Sequence, residues 1–186
     1  LIARRVRECH VYCEIRSYKT PLTEIEAAHY CGIIFSGGPN SVYEAGAPRC
    51  DARIFELGVP VLGICYGAQL MAHLLGGEVR TSPVREYGKT EVQFDQSAAL
   101  FRQVDATSVC WMSHTDYIAV PPQGFAIAAH SASCPVAAML DSARRLFAVQ
   151  FHPEVNHTVQ GMNMLHAFLY NVCGCVGDWK MSSYVN

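Results

Sequence analysis

Short apolar runs alternate with stretches of helical periodicity along the first half of the chain. Residues 59–64 form a continuous apolar run, which is typical of a strand buried on both faces of a parallel sheet. The next residues, 66–75, place their apolar side chains on one side of a helix that ends at a pair of glycines. The same criteria predict helices over 3–8, 21–28 and 51–57 and strands over 11–15 and 32–35.

The second half is richer in strands, which are separated by Gly, Pro, Asp and Ser. Strands are predicted over 90–94, 109–112, 125–130, 136–140 and 146–151, and a last helix over 159–172. This order predicts an α/β domain of three layers, with a mostly parallel open central sheet, helices on both faces and a smaller antiparallel strand set. Residues 1–186 are predicted to form one domain. We expect it to lack the first strand of its fold, because the chain opens in a helix where such folds normally begin with a strand.

Composition narrows the class of protein. Of 186 residues, 51% are hydrophobic and 16% are charged, which is enough apolar material for a sizeable core. The net charge of −2 gives no electrostatic reason to expect nucleic acid or an anionic membrane as partner. No apolar run approaches the roughly 20 residues that span a bilayer, and the first ten residues do not resemble a signal peptide. The nine irregularly spaced cysteines favour reduced thiols and hence a cytoplasmic protein.

The clearest chemical signal is Gly63-Ile64-Cys65-Tyr66-Gly67, which follows a predicted buried strand and opens a helix. This is the pattern of a nucleophile elbow with Cys in place of Ser. The tight turn requires small flanking residues, and the helix N-terminus favours a thiolate on Cys65. The alternative is a buried structural cysteine at a strand-to-helix turn.

A cysteine nucleophile needs a base, and His152 and Glu154 follow the predicted strand over 146–151. Catalytic groups in open α/β sheets gather at the carboxyl ends of strands, so this segment and the elbow are expected to meet. His152 can take the thiol proton, and Glu154 can orient the imidazole. Among the other histidines, His114 is the best rival, because it also follows a predicted strand.

The turn Ser36-Gly37-Gly38-Pro39 also follows a predicted strand, and its glycines allow the backbone to approach a ligand. It can supply an oxyanion-hole N–H opposite Cys65, or it is an ordinary loop. It lacks the pattern of a phosphate-binding loop. No metal site is predicted, because the sequence has no CxxC pair beside a histidine pair.

Taken together, these segments resemble the class I, triad-type glutamine amidotransferase family. The match is carried by SGGPNSVYE (36–44), GVPVLGICYGAQL (58–70), WMSHTD (111–116) and VQFHPEVNHT (149–158). Softer matches at 3–8, 11–15, 84–88 and 173–179 are most similar to the branch of the family that supplies ammonia for the amination of XMP to GMP in purine nucleotide biosynthesis.

The resemblance implies a mechanism and a set of binding residues. Cys65 would attack the side-chain amide of L-glutamine, His152 would protonate the leaving ammonia, and water would hydrolyse the glutamyl thioester. Gly38 and the backbone N–H of Tyr66 would form the oxyanion hole. The amino-acid end of glutamine would be held by Gln69 and by a loop of four residues, Ser113, His114, Thr115 and Asp116.

The resemblance also implies a partner. In the family, ammonia passes to an ATP pyrophosphatase (synthetase) domain or subunit, which is absent from this chain. ATP and Mg²⁺ are expected only in that domain, and no cofactor is expected in this one. Other readings remain open: the glutaminase of anthranilate or CTP synthesis, a γ-glutamyl hydrolase of the same fold, or a non-catalytic module that kept the fold.

Overall fold

The computed structural model describes residues 1–184, so the last two residues of the predicted domain lie outside it. Over these residues the chain forms an α/β fold around one seven-stranded sheet. The strands are β1 (Ile33–Phe35), β2 (Val61–Ile64), β3 (Glu78–Phe94), β4 (Thr107–Val120), β5 (Ala126–His130), β6 (Ala138–Asp141) and β7 (Leu146–Val149). The α-helices are α1 (Ile2–Glu8), α2 (Leu22–Ala27), α3 (Tyr66–Leu74) and α4 (Gly161–His166).

Three shorter helical segments complete the described chain. Helix α4 continues as a π-helical segment, Ala167–Val172, so the predicted last helix is present but changes its geometry part way. The predicted helix over 51–57 is a 3₁₀ turn, Ala52–Glu56, which begins at Asp51, whose side chain accepts a hydrogen bond from the Arg53 backbone N–H. A second 3₁₀ turn spans Met181–Tyr184.

The sheet has the order β1-β2-β7-β6-β5-β3-β4. Strands β1, β2 and β7 run parallel to one another, whereas the remaining neighbours pair antiparallel. The α/β class with a parallel and an antiparallel strand set is confirmed. The balance between the sets differs from the prediction, because β3 and β4 extend far beyond the predicted 90–94 and 109–112 and form a long antiparallel ribbon.

Apolar side chains pack on both faces of the sheet, as the predicted three layers require. On one face, α1 and α4 contribute Val6, Met164 and Leu165 to a core that also contains Phe101 and Phe151. On the other face, the core is built from α3 and the strands beneath it, and it includes Tyr66, Leu70, Met71, Val61 and Ile118.

One predicted strand is wrong. Residues 11–15 belong to no described helix or strand, and Ile15 is 79% exposed. Val11 and Cys13 pack against the core, but a strand also needs a neighbour with which to share its hydrogen bonds, and residue types alone do not supply one. Within residues 1–184, no helix has the length and apolar character required to cross a membrane.

Candidate active site

Cys65 lies at the junction between β2 and α3, where the parallel strands end. Its φ of +54° and ψ of −108° are strained for a residue with a side chain, and such values are concentrated at functional sites. The Cys65 backbone N–H donates to the Val149 carbonyl at 2.8 Å, which ties the elbow to the end of β7. Cys65 is only 4% exposed. The predicted strand, turn and helix are therefore all present.

The two glycines of the elbow are required by close backbone contacts. A Cβ at Gly63 would lie 2.7 Å from the Gly67 carbonyl oxygen, and a Cβ at Gly67 would lie 2.5 Å from the Phe35 carbonyl oxygen. Real Cβ atoms do not approach other atoms so closely, so any larger residue would push helix α3 away from β1 and β2. The turn that presents Cys65 depends on these two positions.

His152 and Glu154 follow β7 and reach the same edge of the sheet. The Glu154 Oε1 atom accepts a hydrogen bond from His152 Nδ1 at 2.8 Å, and the Glu154 side chain is 9% exposed. This bond places the proton of the neutral ring on Nδ1 and leaves Nε2 as its acceptor. The other Glu154 oxygen, Oε2, is buried and has no hydrogen-bond partner within residues 1–184.

The electrostatic environment of His152 favours its protonated form. Burial lowers the pKa of His152, but hydrogen bonds to Cys65 and Glu154, together with their charges, outweigh burial and raise it to about 10. A histidine held protonated beside a cysteine is the arrangement that generally activates a thiol as a nucleophile. The structure therefore brings the three residues of the predicted triad together.

Two further groups contact the sulfur of Cys65. The Ser113 carbonyl oxygen lies 3.6 Å from Sγ and can accept from a thiol S–H. The Gln150 side-chain amide lies 3.7 Å from Sγ and donates toward it. Gln150 is 1% exposed, so its N–H is a fixed donor that suits a negatively charged sulfur.

The turn Ser36-Gly37-Gly38-Pro39 directly follows β1 and lies next to Cys65 and His152. A Cβ at Gly37 would lie 3.0 Å from His152 Cε1 and 3.4 Å from Cys65 Cβ, and a Cβ at Gly38 would lie 4.0 Å from Tyr66 Cγ. The turn thus approaches the Cys65 and His152 side chains from the side of β1. Gly38 and the first residue of α3, Tyr66, are neighbours, as the predicted oxyanion hole requires.

The segment Ser113 to Asp116 was predicted to be a loop, but it is part of the long strand β4. Alternation along the strand gives its side chains two different environments. Ser113 and Thr115 are half-buried on one face, whereas His114 and Asp116 are buried on the other. Of the four, Ser113 approaches Cys65, through its carbonyl group.

The side chains of His114 and Asp116 are bonded within the β3–β4 ribbon. The Asp116 carbonyl oxygen accepts from His114 Nδ1 at 2.9 Å, and Asp116 Oδ1 accepts from the Thr81 hydroxyl at 2.8 Å. Burial lowers the pKa of His114, although the Asp116 carbonyl and Glu86 oppose this effect. The His114 side chain, the alternative candidate for the base, lies on the face of β4 opposite the Ser113 side chain. The contact between β4 and Cys65 Sγ is made by the Ser113 carbonyl.

Gln69 also lies at the site but is already hydrogen-bonded. Its side-chain amide donates to the Asp116 carbonyl at 2.9 Å and to the Gln150 side-chain oxygen at 3.2 Å. Because Gln150 in turn donates to Cys65 Sγ, a chain of amide groups links strand β4 to the sulfur.

Sequence reasoning missed three residues around the triad. Gln150 lies in the matched segment 149–158, directly after the end of β7, and this position was the available signal. Thr158 accepts from the Trp111 backbone N–H at 3.0 Å and donates to the His152 carbonyl at 2.5 Å. Arg5 donates to the Glu154 carbonyl at 3.0 Å from helix α1, and no sequence signal indicated this contact.

Comparison with known families adds an independent finding. The family model described as "Glutamine amidotransferase class-I" matches residues 1–172. A Thermoplasma acidophilum protein assigned to GMP synthase, as one of its subunits, has a similar structure, with a TM-score of 0.81 and 31% identity. The match covers 92% of this chain and 85% of that one. A glutamine amidotransferase of Thermotoga maritima shares the fold, with a TM-score of 0.68 at 19% identity over 84% of this chain and 82% of that one.

Curated relatives are considerably longer than this chain. The protein named GMP synthase [glutamine-hydrolyzing] of Lachnospira eligens is 60% identical over 185 residues, which are 100% of this chain and 35% of the relative. The protein of the same name from Clostridium perfringens is 61% identical over 184 residues, 99% of this chain and 36% of the relative. The chain thus spans about a third of the length of these relatives.

Proposed function

The chain belongs to the class-I glutamine amidotransferase family, and from this membership we propose that Cys65, His152 and Glu154 hydrolyse glutamine to glutamate and ammonia. The observation that carries the proposal is the strained elbow. It presents Cys65 at the carboxyl end of β2, beside His152, whose Nδ1 atom is hydrogen-bonded to Glu154 Oε1 at 2.8 Å.

The proposed reaction begins when the Cys65 thiolate attacks the side-chain carbonyl carbon of glutamine. The negative charge that develops on the carbonyl oxygen would be stabilised by the backbone N–H groups of Gly38 and Tyr66. Collapse of the tetrahedral intermediate breaks the C–N bond, and His152 gives its proton to the departing ammonia. A glutamyl thioester remains on Cys65.

Water then completes the cycle. His152 takes a proton from the attacking water molecule, the thioester C–S bond breaks, and glutamate leaves. Glu154 holds the imidazole in the orientation that both proton transfers need. The Gln150 amide, 3.7 Å from Sγ, supports the sulfur whenever it carries negative charge.

The amino-acid end of glutamine is proposed to lie along β4. Ser113 and Thr115 would face the substrate from the half-buried face of the strand, whereas Asp116 lies on the opposite face and keeps one carboxylate oxygen, Oδ2, without a hydrogen-bond partner among the described residues. Gln69 would act by fixing the Asp116 carbonyl, to which it donates at 2.9 Å. The ring of His114 would contribute through its bonds within the ribbon.

We further propose that the ammonia is used to aminate XMP to GMP by an ATP-dependent synthetase domain, in the cytoplasm. This is supported by the names and the greater length of the relatives, and by nine cysteines that are all unpaired. The test combines the purified chain with the synthetase domain of a relative and measures GMP formation. Glutamine should replace ammonium chloride as nitrogen source only when Cys65 is intact.

The nucleophile and the substrate can be tested together by labelling with 6-diazo-5-oxo-L-norleucine, an electrophilic glutamine analogue. We expect one adduct, mapped to Cys65 by mass spectrometry and prevented by excess glutamine. The Cys65→Ser variant should show no adduct and no glutaminase activity, whereas Cys110→Ser, a control at another buried cysteine, should keep both. An adduct elsewhere, or protection by a γ-glutamyl peptide but not by glutamine, would contradict the proposal.

A further inference from the structure

Three side chains with metal-binding atoms lie together where the β3–β4 ribbon meets the turn between β5 and β6. They are Glu86, His114 and Cys134, and one ligand atom from each lies within 4.8 Å of the others. Glu86 and His114 are directly paired across the β3–β4 ribbon. Cys134 lies between β5 and β6 and is fully buried. The proposed glutaminase reaction uses none of these three side chains to contact substrate.

The sheet brings the three residues together through an irregularity in β3. The register of the β3–β4 pairing shifts between Thr81 and Glu86, as in a β-bulge, a feature that commonly redirects side chains. This shift places the Glu86 carboxylate over His114. Because the ligands come from β3, β4 and a turn between two other strands, no short sequence motif announces them.

The hydrogen bonds of His114 fix which of its nitrogen atoms is free. The Asp116 carbonyl can only accept, so His114 Nδ1 must carry the proton in the 2.9 Å bond between them. The neutral ring therefore directs a lone pair from Nε2 into the cluster. A histidine that donates one ring N–H to a backbone carbonyl is the usual arrangement of a histidine metal ligand.

The second ring nitrogen of His114, Nε2, faces the carboxylate of Glu86. Glu86 Oε2 lies 3.0 Å from His114 Nε2, which is ion-pair distance if the ring is protonated, whereas the Nε2 of a neutral ring that is protonated at Nδ1 has no hydrogen to donate and no hydrogen-bond partner in the part of the chain that the structure describes. A lone pair and a carboxylate oxygen repel each other at this distance unless a positive charge lies between them. His114 is buried, with 6% of its surface exposed, so water does not relieve the repulsion.

Glu86 is held as a metal-binding carboxylate would be. Its Oε1 atom accepts from the Ser133 hydroxyl at 2.5 Å and from the Thr90 hydroxyl at 3.3 Å. These two bonds fix the carboxylate and leave Oε2 directed toward Nε2. Cys134 completes the set, and its S–H donates to the Val136 carbonyl at 3.5 Å.

We propose that Glu86, His114 and Cys134 form a structural zinc site. A carboxylate oxygen, an imidazole nitrogen and a thiolate sulfur are all zinc ligands, and water would complete a tetrahedral set. Ligand atoms around zinc stand about 3.3 to 3.8 Å apart, so the widest pair here needs to close by about 1 Å. On binding, Cys134 loses its thiol proton to solvent and its sulfur turns from the Val136 carbonyl to the metal.

The bound ion would cross-link the ribbon to the turn that carries Cys134. Ser113, whose carbonyl contacts Cys65 Sγ, is next to His114 in β4. The site would therefore hold the part of β4 that lies against the nucleophile. Its effect is on the stability of this edge of the sheet, and it does not depend on the proposed glutaminase reaction.

The experiment measures metal directly on the purified full chain. We expect one zinc per chain by elemental analysis after dialysis, and a sulfur-to-cobalt charge-transfer band in the near ultraviolet when cobalt replaces zinc. Cys134→Ser should abolish that band and weaken zinc binding at least about 100-fold. The matched control is Cys110→Ser, which changes an equally buried cysteine of β4 and should leave both readouts unchanged.

Glu86→Gln guards against a Cys134 variant that fails to fold. It keeps the thiolate, so the cobalt band should remain while the affinity falls about 10-fold or more. Absence of the band in the wild-type chain, or a band of equal intensity in Cys134→Ser, would overturn the site. In that case a proton shared between Glu86 and His114 supplies the positive charge, and adding zinc should not raise the melting temperature.

Discussion

The parallel and the antiparallel parts of the sheet differ in the length of their strands and in the side chains that they position. Strands β1, β2 and β7 are only three or four residues long, and each is followed by a turn that approaches Cys65 or contains it. Strands β3 and β4 have 17 and 14 residues, and His114 lies in the central part of β4, where it is paired with Glu86 of β3. The first region is determined by local constraints, whereas the second is determined by pairing between distant segments.

The difference has a physical origin. A buried parallel strand must be apolar throughout, and a strained elbow tolerates only small flanking residues, so both leave marks within a few positions. In the ribbon, polar residues are acceptable on every other position, and a bulge changes the register without changing the composition. Mutations should therefore act locally and strongly at the elbow and more gradually in the ribbon.

The largest expected effect is at the triad. We predict that His152→Ala lowers kcat/KM for glutamine by at least about 10⁴-fold, since it removes the group that moves both protons, and that Glu154→Ala is at least about tenfold milder. Steady-state assays of ammonia release, with circular dichroism to confirm folding, make the measurement. A greater loss for Glu154→Ala would show that the two roles are wrongly assigned.

Glycine substitutions test the difference between elbow and ribbon directly. Gly67→Ala should cost about 4 kcal/mol or prevent folding, because its Cβ would lie 2.5 Å from the Phe35 carbonyl oxygen. Gly88→Ala in β3 meets no atom within 4 Å and suffers only its φ of +122°, which should cost about 1 to 2 kcal/mol. Urea unfolding measures both, and equal costs would contradict the proposed difference.

The environment of His152 makes stability dependent on pH. Because the folded pKa is raised to about 10, the protonated ring contributes stability that is complete below about pH 6.5 and is lost as the pH rises toward 10. We predict that Glu154→Gln lowers the pKa of His152, which NMR titration of the imidazole can follow. The advantage of the wild-type chain over Glu154→Gln in urea unfolding should shrink between pH 7 and pH 10. An unchanged pKa would mean that Glu154 does not act on the ring.

The smallest effect is expected within the ribbon. Thr81→Val removes the hydroxyl that donates to Asp116 Oδ1 at 2.8 Å, and we predict a loss of about 1 kcal/mol in the free energy of unfolding. Thr107→Val, at an exposed threonine of β4, is the control for loss of a strand hydroxyl. A change in KM for glutamine that is larger in Thr81→Val would indicate that Asp116 lies at the binding site. An equal change would indicate that it does not.

By itself the sequence determined the α/β class, the elbow at Cys65 and the pair His152 and Glu154, because each depends on residue types within a few positions of one another. It failed for residues 11–15 and for Ser113 to Asp116, where the outcome depends on whether a neighbouring strand is present. Only the tertiary structure decided that Gln150 donates to Cys65 Sγ and that Glu86 meets His114 and Cys134. Those contacts join segments far apart in the chain, and strand register, not local composition, determines which side chains meet.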